Sequence, residues 1–231
     1  MFKLLNPYFF TRFTRSLIGM LFVAMLTMSG LGLYQALIIS PPDYQQGEMV
    51  RIMYVHVPAA WMSLGIYTFI AACSFSSLVW KTRLSYLLAV SAAPIGAAFA
   101  LITLVTGSLW GKPIWGTWWV WDARLTSMLI LFLLYLSYMA VINSGDNINR
   151  AEKPASVIAI IGFINVPLVK FSVDLWYSLH QPASVLRLGA PAIHTSMLTA
   201  LMLMFCAFIL YFLLALILRT QRLIKRIKVQ R

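Results

Sequence analysis

Six long apolar stretches, separated by short polar segments, dominate the hydropathy pattern of the chain. Stretches of this length with few charged residues are typical of membrane-spanning helices, because about 20 apolar residues are needed to cross the hydrocarbon core of a bilayer. The pattern therefore predicts an all-α integral membrane protein in which residues 1–231 form a single six-transmembrane helix bundle. The predicted spans cover residues 17–39, 54–79, 85–106, 125–143, 154–170 and 192–218.

The composition agrees with a membrane domain and excludes several classes of function. Hydrophobic residues make up 61% of the chain and charged residues only 10%, with a mean hydropathy of +0.84, which leaves no room for a separate soluble domain. The net charge of +12 does not indicate a nucleic-acid partner, because the basic residues lie in short segments beside the spans. Cys73 and Cys206 form no CxxC or CxxCH motif, so neither thiol–disulfide exchange nor covalent haem attachment to this chain is expected.

Basic residues are distributed unevenly between the two sets of connecting segments. Thirteen of the 18 lysines and arginines lie in the termini and in the segments after the second and fourth spans, including six between Arg219 and Arg231. Because basic residues favour the cytoplasmic side of a membrane, this distribution places both termini in the cytoplasm. Three segments are then expected to face outward, at residues 40–53, 107–124 and 171–191.

Five of the eight tryptophans fall within residues 107–124, an outward segment that we expect to be a loop divided into turns by its glycines and a proline. They are Trp110, Trp115, Trp118, Trp119 and Trp121. Tryptophans at membrane interfaces commonly form an aromatic belt, and Trp61, Trp80 and Trp176 suit that interpretation. A belt is spread around a protein, however, whereas these five are concentrated. We therefore predict an exposed tryptophan platform for a molecule that is flat, apolar and charged at one edge.

All three histidines lie at the predicted outer face, and this placement suggests haem as the bound molecule. Haem is flat and largely apolar, carries two propionates at one edge and takes imidazole as an axial iron ligand. His56 and His180 flank the tryptophan segment and are the candidate axial ligands, with His194 as a reserve. Each histidine also has a simpler interpretation: a hydrogen-bonded interfacial residue for His56, a solvated loop residue for His180 and a helix-packing residue for His194.

Outward cations are candidates to pair with the propionates, since arginine is a planar two-pronged donor. The candidates are Arg51, Lys112, Arg124 and Arg187. Asp122, which follows the tryptophans, is expected either to orient a histidine ring or to cap the fourth span. The sequence contains no complete Walker, HExxH or hydrolase motif, so we do not expect the chain to hydrolyse ATP, and whether it assists a covalent step on bound haem stays open.

The run Trp-Gly-Thr-Trp-Trp-Val-Trp-Asp at residues 115–122 is similar to the tryptophan-rich WWD signature of membrane proteins that handle haem in cytochrome c biogenesis. Further matching segments lie at residues 42–47, 56–60, 105–115, 121–127 and 178–181. Together they resemble the family of cytochrome c maturation protein C, also called haem exporter protein C, over nearly the whole chain. Larger relatives with the tryptophan signature have many more spans, so a six-span chain favours this family.

The resemblance implies a specific arrangement around haem b (heme). His56 and His180 would be the axial ligands of its iron at the outer membrane face. Asp122 and the tryptophan segment would form the platform beside it, with Trp110 matching more loosely. The matching tryptophans are Trp115, Trp118, Trp119 and Trp121. Arg124 lies within the matching run, and we infer that it pairs with a propionate, whereas His194 matches no ligand of the family.

The resemblance also implies partners. Proteins of this family deliver haem to a membrane-anchored haem chaperone, the E protein, and an ABC-type ATPase complex of the A and B proteins with the small D protein releases the loaded chaperone. A bacterial inner membrane protein with its haem site facing the periplasm is therefore expected. One rival hypothesis is a permease subunit that moves haem or another substrate across the bilayer, which should show polar residues near the midplane. Another is an electron-transferring cytochrome b, which would need histidine pairs inside the spans.

Overall fold

The structure, a computed structural model, describes residues 6–144, 148, 150–182, 184–185, 187 and 189–229. Within these residues the regular elements are helices and none is a strand, which confirms the predicted all-α class. The α-helices are α1 Pro7–Arg15, α2 Leu17–Tyr34, α3 Met53–Trp80, α4 Arg83–Trp115, α5 Ala123–Asn143, α6 Glu152–Gly162, α7 Asn165–Leu175 and α8 Thr195–Val229. A π-helical turn at Gln35–Ile39 extends α2, and a 3₁₀ turn at Glu48–Ile52 leads into α3.

Six helical stretches of the described chain are long and apolar enough to cross a membrane, as the hydropathy pattern predicts. They are Leu17–Ile39, Glu48–Trp80, Arg83–Trp115, Ala123–Asn143, Glu152–Leu175 and Thr195–Lys228. The fifth is interrupted between α6 and α7, because Pro167 has no N–H to donate to the carbonyl of Phe163. Gly162 at this break allows α3 to approach closely, since a Cβ there would lie 2.1 Å from the hydroxyl of Tyr67.

The start of α3 differs from the prediction. The 3₁₀ turn and the helix form one continuous stretch from Glu48, so His56 lies inside the helix rather than at or above its end. Pro58 is correspondingly a residue of the helix interior near its N-terminal end. The N–H that proline lacks would have bonded the carbonyl of Tyr54 one turn earlier.

The end of α4 also differs from the prediction and shortens the tryptophan loop. α4 continues to Trp115 instead of ending at residue 106, so only residues 116–122 lie outside helices. Gly107 and Gly111 do not divide the segment into turns, because they lie where side chains pack closely against the helix. The helix ends at Gly116, whose positive φ of 76° lets its N–H bond the carbonyl of Lys112 at 3.0 Å.

The core of the bundle is formed where α3 and α4 pack against α5, α6, α7 and α8. Small residues allow these helices to approach closely, as is common in membranes. The buried alanines of α4 are Ala89, Ala92, Ala93, Ala97 and Ala100. At the centre, the rings of Tyr67 and Tyr135 meet edge to face at 5.0 Å, and the hydroxyl of Tyr135 donates to the carbonyl of Ser63 at 2.6 Å. α2 lies outside this core and packs mainly against α8.

The first and last helices meet at one end of the bundle. The side-chain amide of Gln221 on α8 donates to the hydroxyl of Thr14 on α1 at 2.9 Å. The histidines and the tryptophan segment lie at the opposite end of the bundle, around the start of α3 and the end of α4. Lys3 and Arg231, two of the thirteen basic residues counted toward the cytoplasmic side, lie outside the described residues.

Candidate functional site

His56 is held between α3 and α4. Its side chain is only 8% exposed, and Nδ1 lies 3.0 Å from the hydroxyl of Thr106 on α4. Gly107 provides the space for the ring, because a Cβ at this position would lie 3.0 Å from Cε1 of His56. Two packed helices therefore fix the position of this histidine.

His180 lies in the segment that follows α7 and is held by its own neighbours. Its backbone N–H donates to the hydroxyl of Ser178 at 3.0 Å, and its Nδ1 lies 2.9 Å from the carbonyl oxygen of Gln181. Burial lowers the pKa of His180 below its usual 6.5; the Gln181 carbonyl and Asp122 oppose this, and the positive charge of Arg124 adds to it. Burial therefore favours the neutral form of the ring.

The structure brings His56 and His180 together, with ring centroids 6.4 Å apart and planes inclined by 32°. Their hydrogen-bond partners set both tautomers. Thr106 donates its only hydroxyl proton to the carbonyl of Ile102 at 2.6 Å, so it accepts from the Nδ1–H of His56. The carbonyl of Gln181 can only accept, so Nδ1 of His180 carries a proton as well. In both rings Nε2 keeps the lone pair that a metal ion would bind.

The spacing of the pair suits two imidazoles on opposite sides of one metal ion. An imidazole nitrogen binds a metal such as zinc at about 2.0–2.1 Å, so the ring centroids of an opposed pair lie about 6 to 6.5 Å apart once the ring radii are added. Among the described residues, no group of three His, Cys, Asp or Glu side chains is placed to hold a metal ion. A metal ion held by these two imidazoles would take its remaining ligands from elsewhere, as haem iron does from its porphyrin.

Asp122 has the capping role that its position suggested, and it reaches His180 only through Ser178 and the backbone, not through the imidazole ring. One carboxylate oxygen caps α5 by accepting from the backbone N–H of Leu125 at 2.8 Å. The other accepts from the hydroxyl of Ser178, whose oxygen in turn accepts from the backbone N–H of His180. Asp122 thus connects the start of α5 to the His180 segment without contacting the imidazole ring itself.

Two of the five clustered tryptophans adjoin the histidines. Trp110 meets His56 edge to face at 5.7 Å, and Trp115 lies 6.3 Å from His180 at an angle of 57°. Both belong to the last turns of α4. Trp110 is buried, and its indole N–H donates to the side chain of Gln46 at 2.9 Å, so the prediction that it is exposed was wrong.

The other three tryptophans form a separate outer group. Trp119 and Trp121 meet edge to face at 5.5 Å, and Lys112 lies over the ring of Trp118 at 5.7 Å. Trp118 is 55% and Trp121 76% exposed. Trp118 and Trp119 cover a largely apolar groove of about 300 Å³ along α4, whose other lining residues are Leu104, Val105, Ser108 and Leu109. This face of α4 points away from the face that contacts His56, so the tryptophans do not form one continuous platform.

The four candidate cations have different surroundings. Arg124 donates from Nε to the hydroxyl of Ser172 at 2.8 Å, and its charge acts on His180. Arg51 pairs with Glu48 and donates to the carbonyls of Ala36 and Ser40. Lys112 donates to the carbonyl of Gly116 at 2.9 Å and so helps to end α4. Arg187 is exposed. Of the four candidates, Arg124 is therefore the one whose positive charge acts on the histidine pair.

His194 has a local structural role. It precedes α8, and its Nδ1 accepts from the backbone N–H of Ser196 at 3.3 Å while lying 2.8 Å from the hydroxyl of the same residue. This is the geometry of an N-cap, which satisfies a backbone donor of the first helical turn. His194 is exposed and its hydrogen bonds are local, so it caps α8 rather than packing between helices as the simpler interpretation expected.

Three residues of the site were not among the candidates from the sequence. Thr106 and Ser178 contact the two histidines, and Gln46 accepts from Trp110. Each lies inside or at the edge of a segment that carried the family resemblance, and this was the only available signal. Nothing in the local pattern distinguishes them from other polar residues, because their partners lie far away in the sequence.

Together, these features define a polytopic helical membrane protein that has a two-histidine site at one end of the bundle, beside a tryptophan-rich segment. Sequence comparison is consistent with this class. The sequence profile of the heme exporter protein C family matches residues 1–231, and the chain belongs to this family.

Individual relatives support the assignment. The chain is 48% identical to the heme exporter protein C of Bradyrhizobium diazoefficiens over 90% of its own length and 79% of that protein's. It is 42% identical to the heme exporter protein C of Haemophilus influenzae, covering 97% and 94% of the two chains. A putative cytochrome c biosynthesis ccmC-like mitochondrial protein of Marchantia polymorpha is 46% identical over 99% of this chain and 97% of its own.

Proposed function

We propose that this chain binds haem b between His56 and His180 at the extracytoplasmic membrane face and passes it to a membrane-anchored haem chaperone. Family membership supports the broader role, which is haem export and cytochrome c maturation. The more specific role, haem binding and delivery, is inferred from the site. The observation that carries this inference is the pair of histidine rings with centroids 6.4 Å apart, each with Nδ1 hydrogen-bonded and Nε2 left as an axial ligand.

Haem would supply an iron centre whose porphyrin provides the remaining ligands. The protein's part is to hold two neutral imidazoles at a fixed spacing. Thr106 and the Gln181 carbonyl set the tautomers, because each accepts from an Nδ1–H. Trp110 and Trp115 pack beside the rings and limit water access. Arg124 is our proposed partner for a propionate, since its positive charge already acts on His180.

In this proposal, the orientation of the bundle in the membrane follows from the distribution of its basic residues. The end where α1 meets α8 carries most of the basic residues, including the basic end of α8, and we assign it to the cytoplasm. The histidine end then faces the periplasm of a bacterium, and the protein lies in the inner membrane.

The outer tryptophans are our candidate contact for the chaperone. Trp118 and Trp121 are exposed, although indole rings are usually partly buried; Trp118 lines the apolar groove on α4, and Trp121 contacts Trp119, which also lines it. The chaperone is the E protein. The A and B proteins of an ABC-type complex, with the small D protein, would supply the ATP-driven step, because this chain has no nucleotide-binding motif of its own.

The test is an optical spectrum of the purified, detergent-solubilised protein, alone and after addition of haem. We expect a Soret band in the wild type that shifts or is lost in His56→Ala and in His180→Ala. His194→Ala serves as the matched control, because His194 caps α8 and should not affect the band. A wild type that binds no haem, or single variants with the spectrum of the control, would contradict the axial assignment and favour a permease subunit.

A second measurement separates retention from delivery. Trp121→Ala removes the most exposed tryptophan while leaving Trp110 and Trp115 beside the histidines. We expect normal haem content in this variant and reduced transfer to the chaperone in cells, with Trp80→Ala, a tryptophan at the other end of α3, as the control. Unchanged transfer would remove the outer group from the delivery step.

A further inference from the structure

A second candidate site lies at the end of the bundle opposite to the histidines. A cavity of about 350 Å³ opens between α1 and the last turns of α8. Its walls include the ring of Tyr8 and the side chain of Ile224. Four basic side chains surround it, two from each helix: Arg12, Arg15, Lys225 and Lys228. No acidic residue lines it, and neither of the two ion pairs in the described part of the chain involves these cations.

The two helices are held in register at this site. The hydroxyl of Thr14 accepts from Gln221 at 2.9 Å, and Nζ of Lys228 lies over the ring of Tyr8 at 5.8 Å. Phe10 packs into the small apolar cluster formed with α8. The cavity is thus part of a packed helix junction rather than a gap between two independent segments. Bringing four like charges together costs electrostatic energy, which an anionic ligand would offset.

The junction lies at the level of the membrane surface. α8 has 35 residues, which corresponds to about 50 Å of helix, whereas the hydrocarbon core of a bilayer is about 30 Å thick. Its basic end therefore reaches the headgroup region. On α1, the rings of Phe9 and Phe13 stack at 6.2 Å and are 42% and 56% exposed. Exposed aromatic rings next to cations are typical of a helix that lies in the membrane interface.

We propose that this junction is a binding site for the headgroup of an anionic phospholipid. The cations would donate charge-assisted hydrogen bonds to phosphate oxygens, and the apolar wall would contact the upper acyl chains. The adjacent phenylalanines favour a lipid over a soluble phosphate, because only a lipid also provides an apolar environment for their rings. This inference does not depend on the proposed haem site.

The test uses the full chain in detergent micelles of a non-ionic surfactant, where there is no charged membrane surface. Thermal unfolding is followed while phosphatidylglycerol, phosphatidylcholine or inorganic phosphate is added. For the wild type we expect a saturable rise in Tm with phosphatidylglycerol and none with the other two additives. The double variant Arg12→Gln/Lys225→Gln should bind phosphatidylglycerol at least about tenfold more weakly, as expected for the loss of charged hydrogen bonds.

The matched control is Arg222→Gln/Arg226→Gln. It also removes two positive charges, but both lie on α8 at positions that do not line the cavity. It should respond like the wild type. An equal loss in both double variants would overturn the proposal in favour of diffuse charge attraction, and an equal response to inorganic phosphate would overturn the assignment to a lipid. The four substituted residues, Arg12, Lys225, Arg222 and Arg226, are all exposed, so both double variants should fold. The variant Arg15→Gln/Lys228→Gln, which changes the other two cations of the cavity, is an independent repeat of the test.

Discussion

The two halves of the histidine pair are built in different ways. His56 lies inside α3, is almost fully buried and contacts Thr106 and Gly107 of the neighbouring helix. His180 lies between helices, is half-buried and depends on hydrogen bonds to Gln181 and Ser178. One half is therefore fixed by helix packing and the other by a short series of polar contacts.

The difference suggests how a site can hold a cofactor and still release it. Side chains on packed helices are held more precisely than side chains on loops, and segments with few buried contacts open at lower free energy. We therefore expect the His56 half to keep its geometry while the His180 half moves when haem is loaded or delivered. In the proposed function haem must leave this protein, and a histidine that can move away from the iron would make release easier.

The largest effect is expected from removing either ring. His56→Gly and His180→Gly should each lose most bound haem, because one axial ligand is missing. The two variants are compared by how well added imidazole restores haem binding in each. In His56→Gly the walls of the vacated space are α3 and α4, so imidazole should restore the Soret band at lower concentration than in His180→Gly, where the segment itself can collapse. Better rescue of His180→Gly would contradict the rigid-half interpretation.

Thr106→Val should have the next largest effect. Valine keeps the branched shape but removes the hydroxyl that accepts from the Nδ1–H of His56, so one buried hydrogen bond is lost. Loss of such a partner typically lowers metal affinity about 10- to 100-fold. The measurement is the haem dissociation rate together with the midpoint potential of the bound iron. Thr106→Ser should restore both values, since it keeps the hydroxyl.

The control for Thr106→Val is Thr68→Val. Thr68 lies exposed on α3, and its hydroxyl bonds only the carbonyl of Leu64 one turn earlier, as that of Thr106 bonds Ile102. The two substitutions therefore remove the same local bond, and only one also removes a histidine contact. Equal haem dissociation rates in both variants would show that Thr106 does not set the tautomer of His56.

A smaller effect is expected from the connection between Asp122 and His180. Ser178→Ala removes the acceptor of the His180 backbone N–H, and Asp122→Ser removes the acceptor of the Ser178 hydroxyl while keeping a good N-cap for α5. Each should accelerate haem dissociation, up to about tenfold, without loss of the folded bundle. The double variant should be no worse than Ser178→Ala alone, because both changes break one connection. Additive effects would mean that Asp122 acts on the site by another route.

The six spans could be predicted from the sequence, which also singled out the two histidines that the structure brings together, but the contacts that orient those histidines could not be predicted. Long apolar stretches specify membrane helices almost directly, since the bilayer requires internally satisfied backbone hydrogen bonds. The extension of α4 was missed because Gly107, Gly111 and Pro113 are helix breakers in water, whereas here they allow close packing or lie near the helix end. This extension also explains why the tryptophans divide into two groups: Trp110 and Trp115 lie on the extended helix and each adjoins one histidine, whereas the others follow the turn at Gly116.

Thr106 and Ser178 show the limit of local patterns more clearly. A threonine inside an apolar stretch normally bonds the carbonyl one turn earlier, as Thr106 also does with Ile102. Only the packing of α3 against α4 places His56 next to the same hydroxyl. Such a contact between residues far apart in the chain depends on tertiary structure, so it cannot be predicted from the local pattern of a single sequence.

The smallest effect is expected at Gly107, and it tests whether α4 sets the position of His56. A Cβ there would lie 3.0 Å from Cε1, so in Gly107→Ala the ring must move by a few tenths of an ångström or leave its preferred rotamer. A rotamer cost of this kind corresponds to about a two- to tenfold loss of haem affinity. Gly65→Ala on α3 is the control, because a Cβ there meets no atom within 4 Å while the gain in helix propensity is the same. If both alanine variants bound haem like the wild type, the His56 ring would have room to adjust, and the two halves of the site would differ less than their contacts suggest.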